Sequence, residues 1–167
     1  MAIKHSIGEQ IDIMTNIKEP YNNFVINLQE SFLTVGAKKR IQFMTQHIDF
    51  TPDDILLDVG GNTGKITEVY ARDCKEIVVL EPKHAVVEYG RKYRSHIKFV
   101  EGGAKNIPSP GEYFDKVVAS ASFHHFPHQD RGLEEMKSVH RHFVSYHSLD
   151  FVYHLVFDLS EVLKINN

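Results

Sequence analysis

The chain has 167 residues, which suits one domain or one domain with an extension, and a hydrophobic fraction of 42% can supply its core. A net charge of −3 argues against a general electrostatic grip on nucleic acid, which needs clustered Lys and Arg; the run Lys38-Lys39-Arg40 is typical of a solvated helix face. The single cysteine, Cys74, excludes an intrachain disulfide and a cysteine-rich zinc site. No apolar run approaches the ~20 residues of a membrane span, and the first residues lack a signal-peptide core. We therefore expect a cytoplasmic protein that acts without a membrane.

Two helices are predicted before the first strand. Apolar residues recur at helical spacing over Tyr21–Val35 and Ala37–His47, and Gly36 separates the two segments. Packing on a sheet is the simpler interpretation of these apolar faces. We assign residues 1–50 to an N-terminal helical segment and residues 51–167 to the main domain.

The central motif is Ile55–Thr67, which reads ILLDVGGNTGKIT. An apolar run ends in an acid and continues into a glycine-rich turn, which predicts a buried parallel strand and a tight loop followed by a helix over Lys65–Asp73. A phosphate-binding loop needs G-x-x-x-x-G-K-[ST], and here Val59 and Ile66 break that pattern. A dinucleotide fingerprint, G-x-G-x-x-G, fails from both Gly60 and Gly61. A plain structural turn stays open as an alternative.

Strands and helices alternate after this loop. A helix from Pro82 to about Tyr93 would turn Ala85, Val86, Tyr89 and Tyr93 inward. The remaining elements are three strands, at Glu76–Glu81, Ile97–Glu101 and Tyr113–Ser120, and a helix at Gln129–His140. Strands alternating with helices predict a parallel α/β sheet, with the functional loops at the carboxyl ends of its strands.

Glu81 is a candidate ligand-binding acid because it stands at the end of the second strand. A carboxylate there can accept hydrogen bonds from both ribose hydroxyls of an adenosine-containing ligand. Nicotinamide cofactors use the same placement. The position of Glu81 therefore favours an adenosine ligand without choosing between cofactors.

Two motifs carry a resemblance to a known family. Asp58-x-Gly60-x-Asn62-x-Gly64 matches acid-x-G-x-G-x-G with asparagine at the middle glycine, and asparagine tolerates a positive φ better than most residues. The segment Phe114–His125 is similar to F-D-x-V followed by S-x-x-x-H-H. Over residues 51–140 the chain thus resembles the class I S-adenosylmethionine-dependent methyltransferases that act on small molecules. The resemblance implies a Rossmann-like three-layer α/β sandwich of about five parallel strands in the order 3-2-1-4-5, without the usual C-terminal strand hairpin.

The resemblance also implies roles for individual residues. Asp58 would orient the loop or the amino group of S-adenosylmethionine, and Glu81 would take the ribose hydroxyls. Gly103 stands where the family commonly has an adenine-binding aspartate, so that only the Ala104 amide would meet the ring. His125 is a candidate catalytic base, with a pocket-wall histidine as the alternative. The full set of candidate cofactor-binding residues is Asp58, Gly60, Gly61, Asn62, Gly64, Glu81, Pro82, Gly103, Ala104, Ser120 and Ala121.

The C-terminal part leaves several alternatives open. The histidines at 124, 125, 128, 140, 142, 147 and 154 have irregular spacing without H-E-x-x-H, so we predict no metal site. The pattern from Leu149 to Leu163 fits a strand or a helix equally well. A sheet edge left without its hairpin would favour a homodimer. The main alternative function is a shortened, non-catalytic methyltransferase relative that binds a partner; a nicotinamide-dependent reductase is the third.

Overall fold

The structure, a computed structural model, describes Ile26 and residues 35–141. Backbone contacts divide the chain into two units, residues 1–34 and 35–167, and all the named helices and strands lie in the second unit. Those elements are, in chain order, α1 (Val35–His47), β1 (Ile55–Val59), α2 (Thr67–Tyr70), β2 (Glu76–Glu81), α3 (His84–Tyr93), β3 (Lys98–Glu101), β4 (Lys116–Val118), a 3₁₀ turn (Phe123–His125) and α4 (Gln129–Val139). The contacts thus group α1 with the sheet, while the segment boundary at residue 50 stays a prediction.

The four described strands form one parallel sheet in the order β3-β2-β1-β4. Leu57 pairs with Val78 on one side and Val117 on the other, so β1 is the central strand of the four. The carboxyl ends of all four strands therefore meet at one edge. This confirms the predicted α/β class and the first four positions of the predicted strand order.

Each face of the sheet carries its own hydrophobic cluster, because successive side chains of a strand point to opposite faces. Leu56 and Val79 lie on one face beneath α1, α2 and α3, with Met44 and Tyr70. Leu57 lies on the other face, under Met136 of α4. Leu56 and Leu57 are at most 1% exposed, as a strand covered on both faces requires. The three-layer sandwich is confirmed.

Two helices differ from the sequence-based expectation. α2 is a single turn, Thr67–Tyr70, instead of a helix over Lys65–Asp73. α3 begins at His84 as a regular helix but is rotated about its axis, since Val86, Val87 and Gly90 are buried while Tyr93 is 58% exposed. The expectation that Tyr93 points inward was wrong.

A fifth parallel position begins next to β4. Phe114 and His140 form a parallel bridge, and the Arg141 amide donates to the Phe114 carbonyl at 2.7 Å. The chain that leaves α4 thus starts along the side of β4 where the fifth strand is predicted. Three predicted segments lie outside the described residues: the rest of that strand, the segment 149–163 whose type was left open, and the first predicted helix except for Ile26 and Val35. Among the residues that are described, no helix is long and apolar enough to cross a membrane.

Replacing Arg141 by alanine is expected to lower the free energy of unfolding by about 1 kcal/mol, because hydrogen bonds to a half-exposed cation are partly screened. The Arg141 guanidinium donates to the Glu112 and Tyr113 carbonyls and, at 2.7 Å, to Asp115 Oδ1. Asp115 in turn accepts from the Ile55 amide, which ties this clamp to β1. Urea unfolding measures the change.

The matched control is Arg72→Ala. Arg72 makes an ion pair with its neighbour Asp73 at 3.5 Å, with both side chains mostly in solvent, and its loss should leave the unfolding midpoint unchanged. Equal midpoints for the two variants would contradict a stabilising role for Arg141.

Candidate functional site

The loop after β1 contains three residues in the left-handed backbone region. Gly60 has φ 77°, Asn62 φ 55° and Gly64 φ 78°. Asn62 therefore occupies the kind of conformation that the family's middle glycine would supply, and its Oδ1 accepts from the Thr63 amide at 2.8 Å. Asparagine adopts this region more readily than other residues with a side chain. The loop keeps its turn despite the substitution.

The glycines of this loop are required by neighbouring protein atoms. A Cβ at Gly60 would lie 2.5 Å from Ser122 Cβ, and one at Gly61 would lie 2.8 Å from Asp58 Oδ2. A Cβ at Gly64 would meet the Phe99 ring at 2.9 Å, on the core side of the loop. Packing alone thus accounts for these three glycines. Their closeness to a ligand stays a prediction.

Asp58 lies beneath the loop and is 2% exposed. Its Oδ2 accepts hydrogen bonds from Thr67 Oγ1 and the Tyr70 hydroxyl, both at 2.6 Å. Burial raises the pKa of this carboxyl, while the two hydrogen bonds and the charge of Arg40 act in the opposite direction. The Ser120 backbone amide, just after β4, also acts to lower that pKa. Asp58 is therefore placed to support the loop from below.

Glu81 lies beside the same loop at the end of β2 and is 5% exposed. Its Oε1 accepts from the Lys83 amide at 3.2 Å. Burial raises the pKa of Glu81, and the backbone amides of Lys83 and Asn62 partly offset that rise. The Glu81 carboxylate is thus held by one backbone amide of the glycine loop, that of Asn62, and by one just before α3, that of Lys83.

Hydrogen bonds to backbone carbonyls bring the predicted segments together at the carboxyl edge. The Gly60 amide donates to the Leu80 carbonyl at 2.7 Å, which joins the loop to β2. The Gly102 amide donates to the Glu81 carbonyl at 3.1 Å, which joins the segment after β3. Ser122 Oγ donates to the Val59 carbonyl, which joins the segment after β4. Four stretches that are separate in sequence thus converge on one site.

Gly103 and Ala104 lie in the third of these stretches. A Cβ at Gly103 would meet no atom within 4 Å, so the absence of the family's aspartate leaves open space there. Ala104 packs partly against the core cluster that includes Met136. Pro82, next to Glu81, is exposed.

The segment after β4 carries the remaining candidates. Ser120 is 9% exposed, and its hydroxyl has no hydrogen-bond partner within residues 35–141. Ala121 has φ 56°, a left-handed conformation that turns the chain sharply into the 3₁₀ turn. His125 is exposed, and its ring lies 3.8 Å from the His124 ring, centroid to centroid. An exposed imidazole at this edge is accessible to a substrate.

Four residues that support the loop were missed at the level of sequence. Thr67 and Tyr70 bind Asp58, and Arg94, 7% exposed, donates from Nη1 to the Thr63 carbonyl and pairs with Glu68 at 3.0 Å. Arg40, which was assigned to a solvated helix face, is half-buried. Burial lowers its pKa, and the nearby charge of Asp58 partly offsets that change. The sequence feature that could have indicated Thr67 and Tyr70 is the pair of hydroxyl side chains three residues apart in the segment that follows the acid Asp58 and the glycine loop.

Within the described ranges, no group of three or more His, Cys, Asp and Glu side chains is arranged to hold a metal ion. His142, His147 and His154 lie outside those ranges. The expectation of no metal site therefore stays a prediction.

The sequence profile of a methyltransferase domain family matches residues 57–142, about half of the chain. That range contains the glycine loop, Glu81, Gly103, Ala104 and the segment after β4, whereas Arg40 of α1 lies outside it. The chain belongs to the class I S-adenosylmethionine-dependent methyltransferases. The resemblance drawn from the glycine loop and the Phe114–His125 segment is confirmed.

Individual relatives agree with this family. An uncharacterised methyltransferase of Anoxybacillus flavithermus is 24% identical over 125 residues, which is 74% of this chain and 57% of that protein. The chloroplastic 2-methyl-6-phytyl-1,4-hydroquinone methyltransferase of Arabidopsis thaliana is 32% identical over 88 residues, 50% of this chain and 26% of that protein. The YcgJ protein of Bacillus subtilis shares the fold at a TM-score of 0.61 and 18% identity, over 65% of this chain and 49% of its own. The chain thus spans only about half or less of the length of these relatives.

The residues at the carboxyl edge fit the family's cofactor in two respects. Glu81 offers a buried carboxylate beside the loop, and Ser120 Oγ is a buried polar atom that has no hydrogen-bond partner within the described part of the chain. A Cβ at Gly103 would meet no atom within 4 Å. The missing aspartate removes one hydrogen-bond acceptor but creates no obstruction.

Proposed function

We propose that this chain binds S-adenosylmethionine at the carboxyl edge of the sheet and transfers its methyl group to a small-molecule acceptor. The observation that carries the proposal is the buried Glu81 carboxylate, which backbone amides hold beside the glycine loop. A carboxylate pays a desolvation penalty in such a place unless a ligand supplies donors. Two ribose hydroxyls would supply them.

The chain's own residues are proposed to position the reactants. S-adenosylmethionine supplies a methyl group that is bonded to a positively charged sulfonium. Because of that charge, the sulfur leaves readily as a neutral thioether. Little acid–base help is therefore needed, and orientation with exclusion of water can provide most of the rate. Ser120 and Ala121 would form the wall beside the reacting carbon. His125 would face the acceptor and accept its proton where the acceptor carries one.

The acceptor is proposed to be a small molecule. A relative that methylates a hydroquinone supports this class, as does the short, exposed 3₁₀ turn at Phe123–His125, which gives direct access to the site. We also propose that the protein acts in the cytoplasm and binds neither nucleic acid nor a membrane. A homodimer through the sheet edge beyond β4 is proposed as well.

Titration calorimetry with S-adenosylmethionine, S-adenosylhomocysteine and NADH tests the cofactor assignment. We expect micromolar affinity for the two adenosyl-sulfur ligands and none for NADH, because the loop lacks the dinucleotide fingerprint. Failure of a folded protein to bind any of the three would overturn the enzyme assignment. It would favour a non-catalytic member of the family that acts through a partner.

A further inference from the structure

The carboxylate of Asp58 is held by two hydroxyl groups from one turn of helix. Thr67 Oγ1 and the Tyr70 hydroxyl both donate to Oδ2 at 2.6 Å, and all three residues are at most 3% exposed. Hydrogen bonds to an ionised acceptor are short and roughly twice as strong as neutral ones. The two donors thus fix the plane and position of the carboxylate from below.

The fixed carboxylate in turn sets the position of the glycine loop. A Cβ at Gly61 would lie 2.8 Å from Asp58 Oδ2, 2.9 Å from Cγ and 3.1 Å from Val79 Cγ1. The Gly61 backbone therefore rests directly on the carboxylate. A displacement of Asp58 by a few tenths of an ångström moves the loop that is proposed to hold the cofactor.

The Tyr70 hydroxyl has no role in core packing that a phenylalanine would not fill. The ring belongs to the cluster around Leu56 and Val79 and lies 5.4 Å from the Phe50 ring, centroid to centroid. Burying a hydroxyl in such a cluster is unfavourable unless it is hydrogen-bonded. Its bond to Asp58 accounts for its presence.

We propose that Tyr70 is a positioning residue for the cofactor: its hydroxyl, together with that of Thr67, holds the Asp58 carboxyl group in place beneath the glycine loop. This inference rests on the proposed function. Tyr70 and Thr67 act through Asp58 and are not catalytic residues.

The charged groups around Asp58 agree with this arrangement. Arg40 faces it from α1, Thr67 and Tyr70 from α2, and Glu81 from β2, whose own pKa the Asp58 charge raises. Burial and the Asp58 charge raise the pKa of Tyr70 well above its usual value, with a smaller contribution from Cys74. The phenol therefore stays protonated and remains a donor throughout the working pH range.

The test is the affinity for S-adenosylmethionine as a function of pH, measured by calorimetry on wild type and Tyr70→Phe. Losing one hydrogen bond to a charged group should weaken binding about tenfold at pH 7.5. The pKa of Asp58 should rise, because its ionised form loses a donor, so the fall in affinity on acidification begins at a higher pH. The contribution of Glu81 to that fall remains in both proteins.

Two further comparisons separate positioning from general stability. Thr67→Val should act in the same direction as Tyr70→Phe, and Thr67→Ser should restore both the affinity and the pH profile; this pair carries the test if Tyr70→Phe does not fold. Phe50→Leu disturbs the packing of the Tyr70 ring without touching Asp58, so it should lower thermal stability and leave the pH profile unchanged.

The outcomes are distinguishable. If wild type binds S-adenosylmethionine and folded Tyr70→Phe binds it equally well with the same pH profile, the role of Tyr70 is overturned. The proposed function is then left intact. Wild type that does not bind overturns both. The positioning role is also overturned if Phe50→Leu shifts the pH profile of binding as far as Tyr70→Phe does, because altered packing of the Tyr70 ring would then explain the shift.

Discussion

Replacing Gly60 by alanine is expected to lower the free energy of unfolding by about 3 kcal/mol, the largest effect of a single methyl group at this site. Gly60 has φ 77°, where a residue with a Cβ is strained. The added Cβ would lie 2.5 Å from Ser122 Cβ and 2.9 Å from its Oγ. Ser122 is 8% exposed and bonded to the Val59 carbonyl, so it has little room to move aside. Urea unfolding measures the loss.

Gly103→Ala is the matched control. The same change is made at the same edge of the sheet, but no atom lies within 4 Å of the added Cβ and φ is not in the left-handed region. We expect stability equal to wild type or slightly higher, because alanine restricts the unfolded chain.

The double variant Gly60→Ala/Ser122→Gly separates the two causes. Because Ser122→Gly also removes the hydrogen bond from Ser122 Oγ to the Val59 carbonyl, the double variant is compared with Ser122→Gly alone. In that background only the backbone strain remains, so Gly60→Ala should cost less stability than it does in wild type. A single variant Gly60→Ala as stable as Gly103→Ala would contradict the packing of the loop against Ser122.

The sequence predicted the features that depend on local pattern. The apolar run of β1, the acids at the ends of β1 and β2, and the alternation of strands with helices all follow from neighbouring residues. They were sufficient for the fold class, whereas the order of the four described strands was predicted from the resemblance to the family. The left-handed conformation of Asn62 also follows from residue type, because few other side chains tolerate it.

The rotation of α3 could not be predicted from hydrophobicity. A Cβ at Gly90 would lie 2.4 Å from the Phe99 ring, so that ring packs on the helix backbone itself. A glycine adds nothing to a hydrophobic pattern, and the pattern therefore favoured Tyr89 and Tyr93 as the inner face. The packing of α3 against the Phe99 ring of β3 decides the buried face, and such a contact between two elements is not visible in the periodicity of one of them.

The network under the loop was missed for a similar reason. Thr67 and Tyr70 stand nine and twelve residues after Asp58, and Arg40 comes from a separate helix. The pattern after the loop predicted a long helix, whereas the turn of helix that forms is the part whose hydroxyls reach Asp58. Only the packing of α1 and α2 on the sheet brings these groups together.

Glu81→Gln is expected to change binding and stability in opposite directions. The variant keeps the size of the side chain but loses the charge that would accept two ribose hydroxyls. Each hydrogen bond to a charged group contributes about 1.5–3 kcal/mol, so affinity for S-adenosylmethionine should fall about 100-fold. Glu101→Gln is the control for binding: Glu101 pairs in register with Glu81 on β3, but its side chain is half-exposed and bonded to His84.

The stability of the free protein should rise in the same variant. Burial raises the pKa of Glu81 above the value of about 4.3 expected in the unfolded chain. Between these two values the folded protein binds more protons than the unfolded one, so the contribution of Glu81 to stability is fully present below the unfolded pKa and is lost as the pH rises through the folded pKa. Glutamine does not ionise and avoids that loss. Urea unfolding at pH 7.5 should therefore show Glu81→Gln to be more stable than wild type, with the difference shrinking towards pH 4. A variant that binds poorly and is also less stable at pH 7.5 would show that Glu81 serves the fold, and a variant that binds as well as wild type would remove Glu81 from the cofactor site.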